Sequence, residues 1–290
     1  MTGHFYICIK SKLINIYPLP MQTSKRESLF IIANSTAFYL ISYLSVLLLF
    51  QLTTIAAAKI FDIPTTLFYN RVDFYGGIGV WTFDSVKIVY GSGNVMLFLL
   101  SILFLVVTIK TMEYDGLLRL FFLWGFINSM SMLLGAFIIG AFNYEGLGVV
   151  LSYLYLADTA KMLILFIGII ALIGIGMAMV KPMLFTANTY YKFLSPEMRM
   201  SFRFKQFVFP YLIATAILFL LKYPLTFYES LLLTIPVFMI APLFIGTGVL
   251  PTYFFEETEK SIQVSLRLII ITVLFIVLFR VVLGIGLKFA

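Results

Sequence analysis

Few residues in this chain combine type and spacing in a way that could do chemistry. The histidine count decides most of the possibilities, for there is one histidine, His4, and one cysteine, Cys8. A hydrolytic zinc site of the His-Glu-x-x-His kind needs two histidines a helical turn apart. The same count removes paired axial haem ligands and a histidine general base. A lone cysteine closes no internal disulfide. In Gly91-Ser92-Gly93, Tyr90 stands where a nucleophile elbow carries glycine. No P-loop, dinucleotide-binding glycine pattern or Cys-x-x-Cys is present. A retinal-type Schiff base needs a lysine inside a span, and Lys161 and Lys222 fall at predicted span ends. The expectation is a protein that is not an enzyme and holds no cofactor or metal.

The remaining polar residues are candidates for roles inside a membrane. Tyr114-Asp115-Gly116 resembles the first aspartate motif of intramembrane aspartyl proteases, but the second motif, Gly-x-Gly-Asp, is missing. Two acids must share such a site, so Asp115 is read as a loop end. Arg280, Asp158, Lys161 and Arg119 are the ionisable groups nearest an apolar interior. Charge there is expensive and is paired, snorkelled or functional. One expectation is that Arg280 pairs with Asp158 or Glu145; the plainer one, which is favoured, is that it snorkels to head groups. Asn128 sits mid-span with donors and an acceptor to satisfy, and is read as bonding a neighbouring helix before touching a solute. Pro236 and Pro242 mark a candidate kink. Lys192, Arg199, Arg203 and Lys205 are candidate contacts for lipid head groups.

The elements that position these residues follow from composition. Of 290 residues 62% are hydrophobic and 11% charged, and the mean hydropathy is +1.05. Apolar runs longer than about 18 residues recur, and only a bilayer can solvate them all. Lipid requires closed backbone hydrogen bonding, and the runs are solid instead of alternating, which favours helices over a barrel. The predicted fold is all-α: a polytopic transmembrane bundle of about seven spans, within a range of six to eight, with short interfacial helices in its loops. The spans are placed at 36–60, 94–109, 117–142, 161–180, 208–221, 230–250 and 265–287. Small residues at four-residue spacing, Ser131 with Gly135, Ala136 with Gly140 and Gly174 with Ala178, predict close packing of spans three and four.

Residues 1–35 read as a cytoplasmic N-terminal segment, with 1–20 a start-site extension, because Met21 opens a polar, basic lead. Residues 36–290 read as a single transmembrane domain. Thirteen of the twenty Lys and Arg fall on the N-terminal side and six on the other, which predicts a cytoplasmic N-terminus and a C-terminus on the opposite side. The outer loop 61–93 is aromatic, and Val80, Phe83, Val86 and Tyr90 suggest a short surface helix within it. The inner loop 181–207 is basic. Ser195-Pro196-Glu197 there favours a helix over the strand that the alternation after it suggests. The stretch 146–156 is too short to span and reads as re-entrant or interfacial.

The net charge of +7 is attributed to topology and anionic lipid, so no nucleic acid is expected. The expected partners are membrane lipids and other membrane protein subunits, and the expected location is a cell or inner membrane. Two functions remain in view: a non-catalytic structural, accessory or assembly subunit of a larger membrane complex, or a small-solute or lipid transporter with its site near the kinked sixth span.

Overall fold

The computed structural model describes residues 24–111, 116–191, 193–244, 253–255 and 262–289. The first helix, α1 (Lys25–Ile60), starts well before the predicted position 36. A capping box explains the early start: Ser24 Oγ accepts from the Glu27 N–H at 3.2 Å, and Glu27 Oε2 accepts from the Ser24 N–H at 2.8 Å. At 36 residues α1 is roughly 54 Å long, well beyond a hydrocarbon core of about 30 Å. A hairpin follows, β1 (Thr65–Leu67) with β2 (Val72–Phe74).

Next comes α2 (Phe83–Lys110), capped by Thr82. The separate surface helix predicted near 80–90 is therefore corrected: those residues are the first turns of α2. Val89 is buried against Ala58 and Ile63, so the helix is held by protein and has no cause to bend onto a surface. Gly91 and Gly93 do not break it. A Cβ at Gly93 would lie 2.4 Å from the Phe50 ring, so glycine lets α1 and α2 touch.

Helix α3 (Leu118–Gly140) packs on both of these, and 78% of its apolar window is buried. The stretch 146–156 forms a seven-residue helix, α4 (Leu147–Tyr153), seated on α2 and α3. Then come α5 (Asp158–Ala178), the short α6 (Val180–Phe185), a two-residue strand β3 (Phe193–Leu194) and α7 (Pro196–Arg203). One π turn (Phe204–Val208) carries α7 straight into α8 (Phe209–Leu221). At that turn the Ser35 hydroxyl donates to the Gln206 carbonyl at 2.6 Å, and Trp124 Nε1 donates to Ser35 Oγ at 2.9 Å. An outside donor thus takes a carbonyl of the irregular turn, a common origin of such bulges.

The predicted sixth span is divided. It comprises α9 (Phe227–Thr234), α10 (Val237–Ile240), which starts behind Pro236, and a 3-10 turn (Ala241–Phe244) that contains Pro242. The Tyr211 hydroxyl lies 3.2 Å from the Leu233 and Thr234 carbonyls, which the break leaves open. Residues 245–250 lie outside the described residues. The strand β4 (Tyr253–Phe254) pairs with β3, and α11 (Leu266–Ile285) returns to β5 (Leu287–Phe289), which adds to the hairpin beside β1. These small sheets are absent from the purely helical expectation.

Among the described residues six helices are long and apolar enough to cross a membrane: α1, α2, α3, α5, the joined Pro196–Leu221 and α11. They run between two ends of one bundle. At the hairpin end lie the close of α1, the start of α2, β1, β2 and β5. At the basic end lie the start of α1, the start of α7 and the start of α11, where the Ser265 N–H donates to Asn34 Oδ1 at 2.9 Å. The divided segment starts beside the hairpin, and its α10 lies against α5 at Gly176, near the far end of that helix.

Candidate functional site

The small residues of α3 and α5 turn out to serve the divided segment as well as each other. A Cβ at Gly135 would lie 2.9 Å from Leu232, and one at Gly176 would lie 2.5 Å from the Met239 carbonyl. This draws α9 and α10 into the bundle, and the space left at the hairpin end is a cavity of about 310 Å³. Its walls come from α1 (Gln51, Thr54), the hairpin (Asn70, Arg71), α2 (Tyr90, Asn94), α3 (Met132), the turn before α4 (Glu145) and the α8–α9 corner (Lys222, Glu229).

An ion pair forms one wall. Lys222 Nζ lies 2.8 Å from Glu229 Oε1, with side-chain exposures of 2% and 11%. Local sequence fixes both partners. Lys222 closes α8, and Thr226 with Glu229 forms a capping box that starts α9: the Glu229 N–H donates to Thr226 Oγ1 at 3.2 Å, and the Thr226 N–H donates to Glu229 Oε2 at 3.1 Å. Glu229 therefore caps its helix with one oxygen and holds the lysine with the other. Burial pulls the Lys222 ammonium down, but Tyr43 and Glu229 favour its charged form more strongly, and its pKa lies above the usual 10.5.

The hairpin clamps this corner from above. The Tyr69 hydroxyl donates to the Tyr223 carbonyl at 3.0 Å, and Asn70 Nδ2 donates to the Pro224 carbonyl at 3.1 Å. Arg71 Nε meets Asp73 Oδ1 at 2.7 Å, and that hydrogen bond, followed by the carboxylate's charge, raises the arginine's pKa. Two buried oxygens that border the cavity, Gln51 Oε1 and Asn94 Oδ1, have no hydrogen-bond partner among the described residues. A buried acceptor without a partner costs about 1–3 kcal/mol.

Comparison with protein-family models, curated proteins and solved structures finds no match.

Several residues singled out from the sequence lie elsewhere. Arg280 makes no ion pair with Asp158 or Glu145, which corrects that expectation. Its guanidinium stacks 3.6 Å from the centroid of Tyr69, because α11 brings it to the hairpin, whereas Asp158 opens a different helix. Asp158 pairs at 3.6 Å with Lys161 one turn on, and its side chain is 97% exposed, so the pair is a surface feature. Asn128 is buried between helices and donates to Ser42 Oγ of α1 at 2.9 Å. Pro236 and Pro242 lie past the cavity, on the basic side of α9.

The basic residues predicted to meet head groups are placed differently. Arg199 and Arg203 are buried, 1% and 5% exposed, because the π turn carries their helix inward beside α1. Lys205 is half-buried, and Lys192 lies outside the described residues, as does Asp115. Arg119 is also buried and donates to the Phe185 carbonyl. Ser92 lies inside α2 with its hydroxyl bonded to the Val89 carbonyl at 3.0 Å, the setting of a helical serine and not of a nucleophile elbow.

The residues that sequence reasoning missed are Gln51, Asn94, Lys222 and Glu229. One signal was available: Thr226-x-x-Glu229 before an apolar run is a capping-box pattern, four residues after Lys222. Nothing local ties Gln51 to Asn94, since helices α1 and α2 bring them together.

Proposed function

We propose that this chain is an integral membrane protein that binds a small polar solute in the hairpin-end cavity and works as a transporter. The single observation that carries the reading is two buried, unpartnered amide oxygens beside a buried ion pair, all bordering one cavity. Natural cores rarely leave such atoms without a partner, and a polar ligand in the cavity would satisfy both. The volume falls at the small end of ligand pockets, about 300–1,000 Å³. Helix α9, which borders the cavity through Glu229 and Leu232, is interrupted about one turn beyond it, and transporters use interrupted helices near their sites.

The test is thermal stabilisation of the protein, purified in mild detergent, by a panel of cationic, anionic and neutral small molecules. At least one class should raise the melting temperature of wild type, and Ala136→Met, which pushes a side chain into the cavity, should abolish the gain. Equal responses of wild type and variant to every class would sink the proposal.

A second reading, an accessory subunit of a larger membrane complex, is favoured by one observation. Only 17% of the apolar window of α5 and 22% of that of α11 is buried, so both present long faces to lipid or to another protein. Stoichiometric co-purification of other membrane proteins, without any solute response, is the result expected from it.

For orientation, we read the basic end as cytoplasmic, in a cell or inner membrane, with the hairpin on the opposite side. Tyr75 at the hairpin and Met200 at the basic end are both exposed. In intact cells an impermeant thiol reagent should label Tyr75→Cys and spare Met200→Cys; the reverse pattern would invert the topology.

A further inference from the structure

Around the cavity, the fully buried atoms left without a partner among the described residues have one sign. Both of its cations and two of its amide nitrogens already engage protein acceptors: Lys222 with Glu229, Arg71 with Asp73, Asn70 with the Pro224 carbonyl, and Asn94 Nδ2 with the Tyr90 carbonyl at 3.1 Å. The fully buried atoms without a partner among the described residues are acceptors. Gln51 Oε1 and Asn94 Oδ1 belong to residues 3% and 6% exposed. Glu145, at the solvent side of the cavity, has no ion-pair partner among the described residues, where the four ion pairs use other carboxylates. With both bordering cations neutralised, its carboxylate sets the net charge of the lining.

The apolar part of the lining fits the same sign. Phe74 and Tyr90, with ring centroids 5.6 Å apart, both border the cavity, and aromatic faces attract cations. Leu97 and Met132 offer a surface for a short hydrocarbon body. The volume of about 310 Å³ is far larger than a bare metal ion needs, and no group of three or more His, Cys, Asp or Glu is gathered among the described residues.

We infer that the solute is a small organic ammonium ion, its N–H donors meeting Gln51, Asn94 and Glu145 and its apolar part lying against Leu97 and Met132. This rests on the proposed solute-binding role of the cavity and names the chemistry that fills it.

The experiment is a titration of the full-length protein, in lipid nanodiscs, with three probes of like size: 2-phenylethylammonium, 3-phenyl-1-propanol and 3-phenylpropanoate. Binding is read by calorimetry and by saturation-transfer NMR. The ammonium should bind at least about tenfold more tightly than the alcohol or the acid. Glu145→Gln, a substitution at an exposed position that the fold should tolerate, should remove most of that preference and leave alcohol binding unchanged. Equal binding of alcohol and ammonium, or tighter binding of the acid, would overturn the charge assignment while leaving the cavity as a solute site. Heat from sodium chloride alone that Glu145→Gln abolishes, with none from the ammonium, would assign the site to an inorganic ion and likewise overturn it. No binding of any probe, with Ala136→Met indistinguishable from wild type, would overturn both this inference and the proposed function beneath it.

Discussion

Lys222 and Glu229 show how a pair of ordinary flank residues becomes a buried unit. Each alone leaves the other as a buried charge without a partner, a loss of about 3–5 kcal/mol. Lys222→Met and Glu229→Gln should each lower stability by that order, and the double variant Lys222→Met/Glu229→Leu should lose less than either single one; thermal melts in detergent decide. A pH series adds a sign. Because the folded lysine titrates above its ordinary 10.5, its stabilising contribution is complete below about 10.5 and is lost as pH rises through the raised value. The melting difference between wild type and Lys222→Met should therefore stay level through neutral pH and shrink only in strong base. At this scale the sequence was uneven. Asn128 and Arg280 stood out because each interrupts an apolar run, yet their partners Ser42 and Tyr69 lie far away in the chain. Lys222 looked like an interfacial charge because the corner that buries it is made by residues 69–70 of the hairpin.

The long helices were legible because lipid demands continuous apolar runs, and the divided sixth segment was legible from Pro236 and Pro242. The start of α2 was not, since an amphipathic turn on a surface and one packed on α1 share the same pattern. The contacts of the glycines were illegible too. Gly174 and Gly176 lie on the same helix two residues apart, but a Cβ at Gly174 meets nothing within 4 Å, whereas one at Gly176 would sit 2.5 Å from the Met239 carbonyl. Backbone cannot rotate away as a side chain can. Gly176→Ala should cost about 1–3 kcal/mol by forcing α10 off α5. Gly174→Ala should be neutral or stabilising, by at most about 1 kcal/mol, through helix propensity. Parallel melts of the two variants test whether the divided segment is held by this close approach; equal effects would show that it is not.

Across the whole molecule α11 is lightly anchored, with its main helix contact to α1 and its far end tied to the hairpin. Arg280 over Tyr69 is one of those ties, worth about 0.5–2 kcal/mol. Arg280→Ala should speed amide exchange in β1, β2 and β5 by roughly two- to thirtyfold while α1–α3 exchange as before; a uniform change would place the tie in the core. The pairing of β5 with β1 also bears on synthesis. The ribosome makes Thr65–Leu67 early and Leu287–Phe289 only after all the intervening helices. The three-stranded cap can close only after every intervening helix has been made and α11 has delivered its end to the hairpin. Until then β1 keeps an open edge and Tyr69 waits for Arg280. Closure of the cap therefore reports that the helices between β1 and β5 are in place, and a nascent chain stalled before α11 would carry an unpaired strand for quality-control factors to recognise.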